Sequence, residues 1–168
     1  MLKRGVSPVV ATMLLLVITV LLAALIMTFV VPFVQDSLGD SKECLQVLDG
    51  IEFAESEFNC FSSDETGFSV KVKKEKVSGF KISLIDNEDN ADAIEVTEGV
   101  SGGNAIRMKG IINYNTDLEV ASSGGQRTYV ASEVYSKAEI APLGETGKVC
   151  EVADIIEFTP CANGVSLT

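Results

Sequence analysis

The sequence of 168 residues contains no histidine. This absence excludes a Ser-His-Asp triad, a Cys-His nucleophile pair and any metal site that uses histidine ligands. The sequence also lacks a Cys-x-x-Cys pair and a glycine-rich phosphate loop that leads into a helix. We therefore expect a protein that is not an enzyme, and we assign no catalytic, cofactor-binding or metal-binding residue.

Charge is absent from a long stretch near the amino end: no charged residue lies between Gly5 and Gln35. An apolar stretch of about 18 residues or more can cross a bilayer as a helix, whereas the apolar part of a secretory signal has only about 7 to 15 residues. No small-x-small cleavage site follows the stretch, which runs on through Val30–Val34. We expect the mature protein to keep this segment and any cleavage to occur in front of it.

The residues before this stretch indicate how it begins. Lys3 and Arg4 favour a cytoplasmic amino end, so the acidic remainder of the chain is predicted to lie outside the cell. Ser7 can cap the first turn of a helix, and Pro8 occupies a first-turn position where its missing N–H costs nothing. The sequence therefore predicts a helix that starts at Ser7 and Pro8.

The predicted helix is apolar on all sides, which requires either lipid or a bundle of identical helices around it. Thr12, Thr19 and Ala23 fall on one stripe, where small side chains let neighbouring helices approach closely. Near the other end, the ring of Pro32 would clash with the carbonyl group of Thr28, so we expect a kink or a loosened turn between them. Gly39 is predicted to end the helix and to form a hinge.

The start of the chain resembles a known family. Lys3-Arg4-Gly5 followed by Val6-Ser7-Pro8-Val9-Val10-Ala11-Thr12 is similar to the class III signal peptide and mature start of archaeal type IV pilins. The resemblance implies that a prepilin peptidase cuts after Gly5, so that the mature chain begins at Val6. It also implies that the helix packs into a filament core while a β-rich head faces outward. Bacterial relatives usually carry glutamate at the fifth mature position, where this chain has Val10, so docking guided by that carboxylate is not expected.

The remainder of about 130 residues is long enough for one domain and too short for two. All 24 acidic residues of the chain lie at Asp36 or later, against 13 basic residues in the whole sequence. Nucleic acid is not an expected partner, because binding to phosphates needs a basic surface.

Alternating apolar and polar residues predict that this remainder is built of strands. The alternation is clear at Phe68–Lys73 and at Phe80–Asp86, which we expect to form a hairpin. Glu43–Leu48 is read as either a short helix or a first strand. The fold class is therefore predicted to be α+β, a long apolar helix followed by an antiparallel, immunoglobulin-like sandwich. Further strands are predicted at Ala93–Thr97, Ile106–Ile112, Arg127–Ala131, Val134–Ile140, Lys148–Val152 and Ile155–Phe158.

Cys44, Cys60, Cys150 and Cys161 all fall in the part assigned to the outside of the cell. An even number of cysteines in an exported domain indicates disulfide bonds, here with three possible pairings. We favour Cys44 with Cys60 and Cys150 with Cys161, because each pair brackets a short stretch. Zinc is not expected, since the sequence offers neither histidine nor a Cys-x-x-Cys pair.

One acidic cluster, Asp86–Asp92, has some likeness to a calcium-binding loop. Its sixth position is Ala91 where glycine is required, and its twelfth is Thr97 where glutamate is required. We therefore predict a solvated turn between two strands. The sequence has no Asn-x-Ser/Thr site for N-linked sugars, while O-linked sugars stay open.

Together these observations predict a leader at residues 1–5, a membrane-spanning and filament-core helix at residues 6–38, and an extracellular β-rich head at residues 39–168. The expected function is that of a structural subunit of an adhesive archaeal pilus. Its expected partners are other copies of the chain through their helices, the prepilin peptidase, the assembly machinery and, before assembly, the membrane. The alternatives are an archaellin, a minor pilin or pseudopilin, and a monomeric membrane-anchored binding module.

Overall fold

The computed structural model describes residues 8–168, except for the side chains of residues 35–41. The chain divides into two compact units, Met1–Lys42 and Glu43–Thr168. The predictions for Lys3, Arg4, Gly5, Val6 and Ser7 lie outside the described residues. Pro8, the first described residue, is helical.

Helix α1 extends over Pro8–Leu25 and is followed by a π-helical turn at Ile26–Val30. In this wider turn the backbone N–H of Val31 donates to the carbonyl oxygen of Ile26, five residues back. The turn occupies the region where we expected a kink or a loosened turn between Thr28 and Pro32. Pro32 follows directly as the second residue of the next helix and has no N–H to donate back into this turn.

Helix α2 extends over Val31–Val47, so the predicted helix end and hinge at Gly39 are wrong. A glycine inside a helix costs only about 1 kcal/mol relative to alanine, which the neighbouring turns can offset. The helix instead stops just before Asp49, whose φ of 57° is left-handed and cannot continue a right-handed helix. Of Glu43–Leu48, read as a helix or a strand, all but the last residue thus belong to the end of α2.

The second unit contains ten strands in two sheets. One sheet has the order β10-β2-β3-β7-β6, with β1 also paired to β3; the other has the order β5-β4-β8-β9. Their bounds are β1 Ile51–Phe53, β2 Cys60–Phe61, β3 Thr66–Val72, β4 Gly79–Ile85, β5 Ala91–Thr97, β6 Ile106–Met108, β7 Gln126–Ala131, β8 Lys137–Leu143, β9 Asp154–Glu157 and β10 Thr159–Pro160. The α+β class is therefore confirmed.

The two sheets face each other across a shared apolar core. Phe68 of β3 stacks on Tyr129 of β7, and the ring of Phe80 from β4 meets Tyr129 edge-on, with centroids 5.4 Å apart. Ile82 and Ile140 of the second sheet are fully buried in the same cluster. Contact between the inner faces of two sheets makes the unit a sandwich.

The predicted hairpin of β3 and β4 is wrong, because the two strands lie in different sheets. β3 pairs with β7 and β4 pairs with β5 and β8. Alternation shows which face of a strand is buried and does not identify its partner. The connection after β3 crosses to the opposite sheet instead of turning back on the same one.

Several predicted strands differ from the structure in extent. The strand predicted at Ile106–Ile112 ends at Met108, and the one at Val134–Ile140 lies three residues later, as β8. Lys148–Val152 is not a strand and makes one isolated bridge, between Val149 and Leu143.

The favoured disulfide pairing is wrong as well. The structure joins Cys44 to Cys150 and Cys60 to Cys161, with sequence separations of 106 and 101 residues. The first bond forms because the end of α2 lies beside the connection between β8 and β9. The second forms because β10 runs parallel to β2 with Thr159 opposite Cys60, which brings the chain back to β2. No cysteine within the described residues 8–168 is free.

Candidate functional site

The most unusual surface of the protein is its apolar helical segment. Pro8–Val34 has 27 residues with a mean hydropathy of 3.1 and is long and apolar enough to cross a membrane, by length and composition. None of the residues of α1 is buried. Large side chains are exposed on all its sides; Met13 and Leu16, for example, expose 66% and 62% of their surface. An apolar surface of this extent needs an apolar environment that the single chain does not provide.

The predicted stripe of small residues is exposed in the structure. Thr12, Thr19 and Ala23 are all accessible. The Thr12 hydroxyl group donates to the carbonyl oxygen of Val9 and that of Thr19 to Leu16, both at 2.9 Å. Because each hydroxyl group is satisfied within its own helix, these side chains can enter apolar surroundings without a polar partner.

Thr28, within the π-helical turn, is satisfied in the same way. Its hydroxyl group donates to the carbonyl oxygen of Ala24 at 2.9 Å and lies 3.3 Å from that of Leu25. The side chain thereby supplies a donor to carbonyl groups next to the π-helical turn, where the hydrogen-bonding pattern changes from four to five residues.

The end of α2 is part of the second unit and is fixed there by several contacts. Val47 has no exposed surface and packs with Val72 and Val77. The carboxylate of Glu43 accepts hydrogen bonds from the backbone N–H and the hydroxyl group of Thr146, each at 2.8 Å. Sequence reasoning missed this junction. The Asp49-Gly50 dipeptide, a common turn signal, was the sign that the helix ends there and not at Gly39.

A buried arginine is the second feature that sequence reasoning missed. The side chain of Arg107 on β6 is 2% exposed and pairs with the carboxylate of Glu65 at 2.9 Å. Its guanidinium also donates to the carbonyl oxygens of Ile111 at 2.9 Å and Leu167 at 3.2 Å. Tyr114 also donates to Glu65, at 2.8 Å. The group is fixed by packing and by its partners, so it stabilises the head and does not form an open site.

The remaining polar groups of the sandwich also have structural partners. The Tyr129 hydroxyl group donates to the carbonyl oxygen of Glu119 at 2.8 Å, and burial raises the pKa of this phenol. Tyr135 donates to Asp92 at 2.9 Å; burial and then this bond raise its pKa. Both phenols therefore stay neutral at physiological pH.

The acidic cluster at Asp86–Asp92 comprises the turn between β4 and β5 and the first two residues of β5. The carboxylate of Asp86 accepts hydrogen bonds from the backbone N–H of Glu88 and Asn90 and from the side chain of Asn90, at 2.7 to 2.9 Å. The side-chain bond to Asn90 is the main cause that lowers the pKa of Asp86. Across the described residues, no group of three or more His, Cys, Asp or Glu side chains is placed to hold a metal ion.

Comparison with known families gives one match. Residues 4–39 match the model of the N-terminal segment of archaeal type IV pilins. No curated protein matches the chain. The matched residues include α1, the π-helical turn and the first turns of α2, which carry the exposed apolar surface. The N-terminal segment of the chain is therefore similar to that of archaeal type IV pilins, and in this chain it precedes a β-rich head.

Proposed function

We propose that the protein is a structural subunit of an extracellular archaeal type IV pilus, that it polymerises through its N-terminal helix and that the filament serves surface adhesion. The observation that carries the proposal is the apolar helix, in which no residue of α1 is buried. Burying a side chain such as leucine contributes about 1.5 to 3 kcal/mol, so a helix of this composition gains strongly from neighbours. A bundle of identical helices provides them.

The length of the apolar segment favours a bundle over a simple anchor. A helix of 27 residues is about 40 Å long, whereas the hydrocarbon layer of a bilayer is about 30 Å thick. Lipid alone therefore covers only part of the apolar surface of an upright helix. Packing against other copies covers the rest, and the small side chains of Thr12, Thr19 and Ala23 suit close approach.

In this proposal the chain is first a membrane precursor with a cytoplasmic amino end. Lys3 and Arg4 cannot enter an apolar filament core, because an unpaired buried ion costs several kcal/mol. The prepilin peptidase removes them by cutting after Gly5, and the assembly machinery then adds the subunit to the filament. The protein itself is proposed to have no catalytic activity.

A substitution at Thr19 tests the assembly role. Thr19→Lys places a charge in the proposed bundle and should abolish filaments that contain the protein, whereas Thr19→Val, similar in shape and uncharged, should still assemble. Filaments are detected by electron microscopy, and the membrane fraction shows whether the precursor is made. If the lysine variant assembles normally, the helix does not pack in an apolar core. A valine variant that also fails would mean that the hydroxyl group, and not the absence of charge, is required.

Surface adhesion enters the proposal through the resemblance of the N-terminal segment to archaeal type IV pilins. Deleting the gene should reduce attachment of cells to surfaces, and restoring the unmodified gene should recover it. The Thr19→Lys variant should not restore attachment, even when its head is folded. Normal attachment without the gene would remove adhesion from the proposal while leaving the filament subunit intact.

A further inference from the structure

The two disulfide bonds connect the beginning of the head to its carboxyl-terminal part. The bond from Cys44 to Cys150, here called the helix bond, joins the end of α2 to the connection before β9. The bond from Cys60 to Cys161, the tail bond, joins the short strand β2 to the residues after β10. Between them, the two bonds tie the helix and the carboxyl-terminal tail to each other across the head.

The tail is held beside its bond by packing as well. Leu167 is 5% exposed and packs in a cluster with Cys60 and Val130. Arg107 donates to the carbonyl oxygen of Leu167 at 3.2 Å. A side chain at Gly67 would lie 2.5 Å from Leu167, so the tail lies directly against the backbone of β3.

The helix side of the junction is fitted as closely. A Cβ atom at Gly144 would collide with the carboxylate of Glu43, so this carboxylate rests on the backbone of the connection after β8. Lys76 donates to the side chain of Gln46 at 2.8 Å, and Lys74 donates to the carbonyl oxygen of Leu48. The Glu43 contact holds the end of α2 on the loop that the helix bond reaches, and the two lysines hold it on the connection between β3 and β4.

From this connectivity we propose that the two bonds are alternative load-bearing links, so that tension between the helix and the tail bypasses the central strands of the β-sandwich. Through the helix bond, a pull passes from α2 directly to residues 150–168. Through the tail bond, it passes along residues 45–59 to β2 and then directly to the tail. Either route leaves residues 61–149, which contain the central strands β3, β4, β7 and β8, outside the path of the force.

The strands that do lie in the first route are the ones least costly to detach. β9 is the edge strand of its sheet and β10 is the edge strand of the other. An edge strand is paired on one side only, so peeling it breaks one ladder of hydrogen bonds and leaves the core closed. Tension would therefore detach edges before it reached the buried residues of the sandwich.

That the bonds carry tension in the cell rests on the proposed function. A subunit whose helix is fixed in a filament transmits to that helix any force that pulls on its head. The other pairing, of Cys44 with Cys60 and Cys150 with Cys161, would not serve this purpose. It would leave residues 61–149 as the only connection between the two short loops. The long-range pairing that the structure has is the one that shields the core.

The proposal is tested by stretching single molecules of the full chain in detergent micelles. One handle is attached at an azide-bearing residue in place of the exposed Lys42, and the other after Thr168. The measurement needs neither a membrane nor a filament, so its failure is distinct from failure of the proposed function. The measured quantity is the maximal extension between the handles, at about 3.5 Å for each residue in the load path.

The oxidised wild type should extend by no more than about 7 nm, the length of the route through the helix bond. The variant Cys60→Ser/Cys161→Ser should give the same value, and Cys44→Ser/Cys150→Ser about 9 nm, because the longer route remains. Only the loss of both bonds, by four serine substitutions or by a reductant, should allow the full maximal extension of about 44 nm between the handles. If the fourfold variant does not fold, the reductant added to a stretched wild-type molecule gives the same comparison.

Two outcomes would overturn the proposal. The first is an extension of about 35 nm or more in the oxidised wild type or in a variant that keeps one bond, because this extension would place the central strands in the load path. A fully reduced chain that also stops near 7 nm, at the highest force applied, would mean that the sandwich itself, and not the bonds, limits the extension.

Discussion

Removing the carboxylate that faces Arg107 is expected to destabilise the head strongly. The side chain of Arg107 is 2% exposed and that of Glu65 is 25% exposed. Glu65→Gln keeps the shape of the side chain and removes its charge, which leaves a buried guanidinium without a counterion. Breaking a buried ion pair on one side costs about 3 to 5 kcal/mol, and the partial exposure of Glu65 places the expected cost near the lower value, about 3 kcal/mol.

The expected decrease in melting temperature follows from this loss of free energy and from the unfolding entropy, which depends on the size of the head. A domain of about 130 residues has an unfolding entropy of about 0.27 kcal/mol per degree, so 3 kcal/mol corresponds to about 11 °C. Glu139→Gln is the matched control, because Glu139 pairs with Lys137 at 2.6 Å while the two side chains are 27% and 36% exposed. An exposed pair contributes about 0 to 1 kcal/mol, so this variant should lose less than about 4 °C.

The assay is thermal unfolding followed by circular dichroism, on the oxidised protein at neutral pH. Equal small shifts in the two variants would refute the reasoning, because they would mean that Arg107 finds water or another acceptor when Glu65 is neutral. A second comparison uses Arg107→Met in the Glu65→Gln background. Removing the charge that lacks a partner should recover part of the lost stability. If the arginine had a purely steric role, the double variant would instead be less stable than Glu65→Gln alone.

The remaining predictions concern oxidation and processing. The folded mature protein should contain no thiol that reacts with an alkylating reagent, and reduction should lower its melting temperature without release of a metal; stoichiometric zinc or two reactive thiols would contradict this. Peptide mapping without reduction should recover no fragment that joins Cys44 to Cys60, since the structure pairs both cysteines with the carboxyl-terminal part of the chain. Gly5→Phe should leave an uncut membrane precursor and no filaments containing it, and the mature wild-type chain should begin at Val6.

The elements that the sequence predicted well are those with a strong local signal. The apolar run predicted the long helix, because 27 residues of this hydropathy have no other stable form. β5 and β7 were predicted close to their observed bounds, since each is a short apolar and polar alternation between turn residues. The π-helical turn at Ile26–Val30 overlaps the loosened turn expected between Thr28 and Pro32, where proline has a defined steric effect on a helix.

The elements that were missed depend on contacts between distant residues. Gly39 has the right residue type for a helix end, but the packing of Val47 and the bond from Cys44 to Cys150 carry the helix further. Spacing along the chain favoured short disulfide loops, whereas the actual pairs are set by which strands lie side by side. The burial of Arg107 has no local signal at all, because its carboxylate partner lies 42 residues away.

The central claim is that the N-terminal helix assembles the subunit into a filament, and it is tested most directly by electron microscopy of filaments sheared from cells. We predict that the filaments contain this chain, identified by mass spectrometry, that it begins at Val6, and that its helices form the core of the filament with the β-rich heads outside. The contrary result is a native protein that retains Lys3 and Arg4 and stays monomeric when extracted gently from the membranes of filament-bearing cells. That result would make it a membrane-anchored binding module.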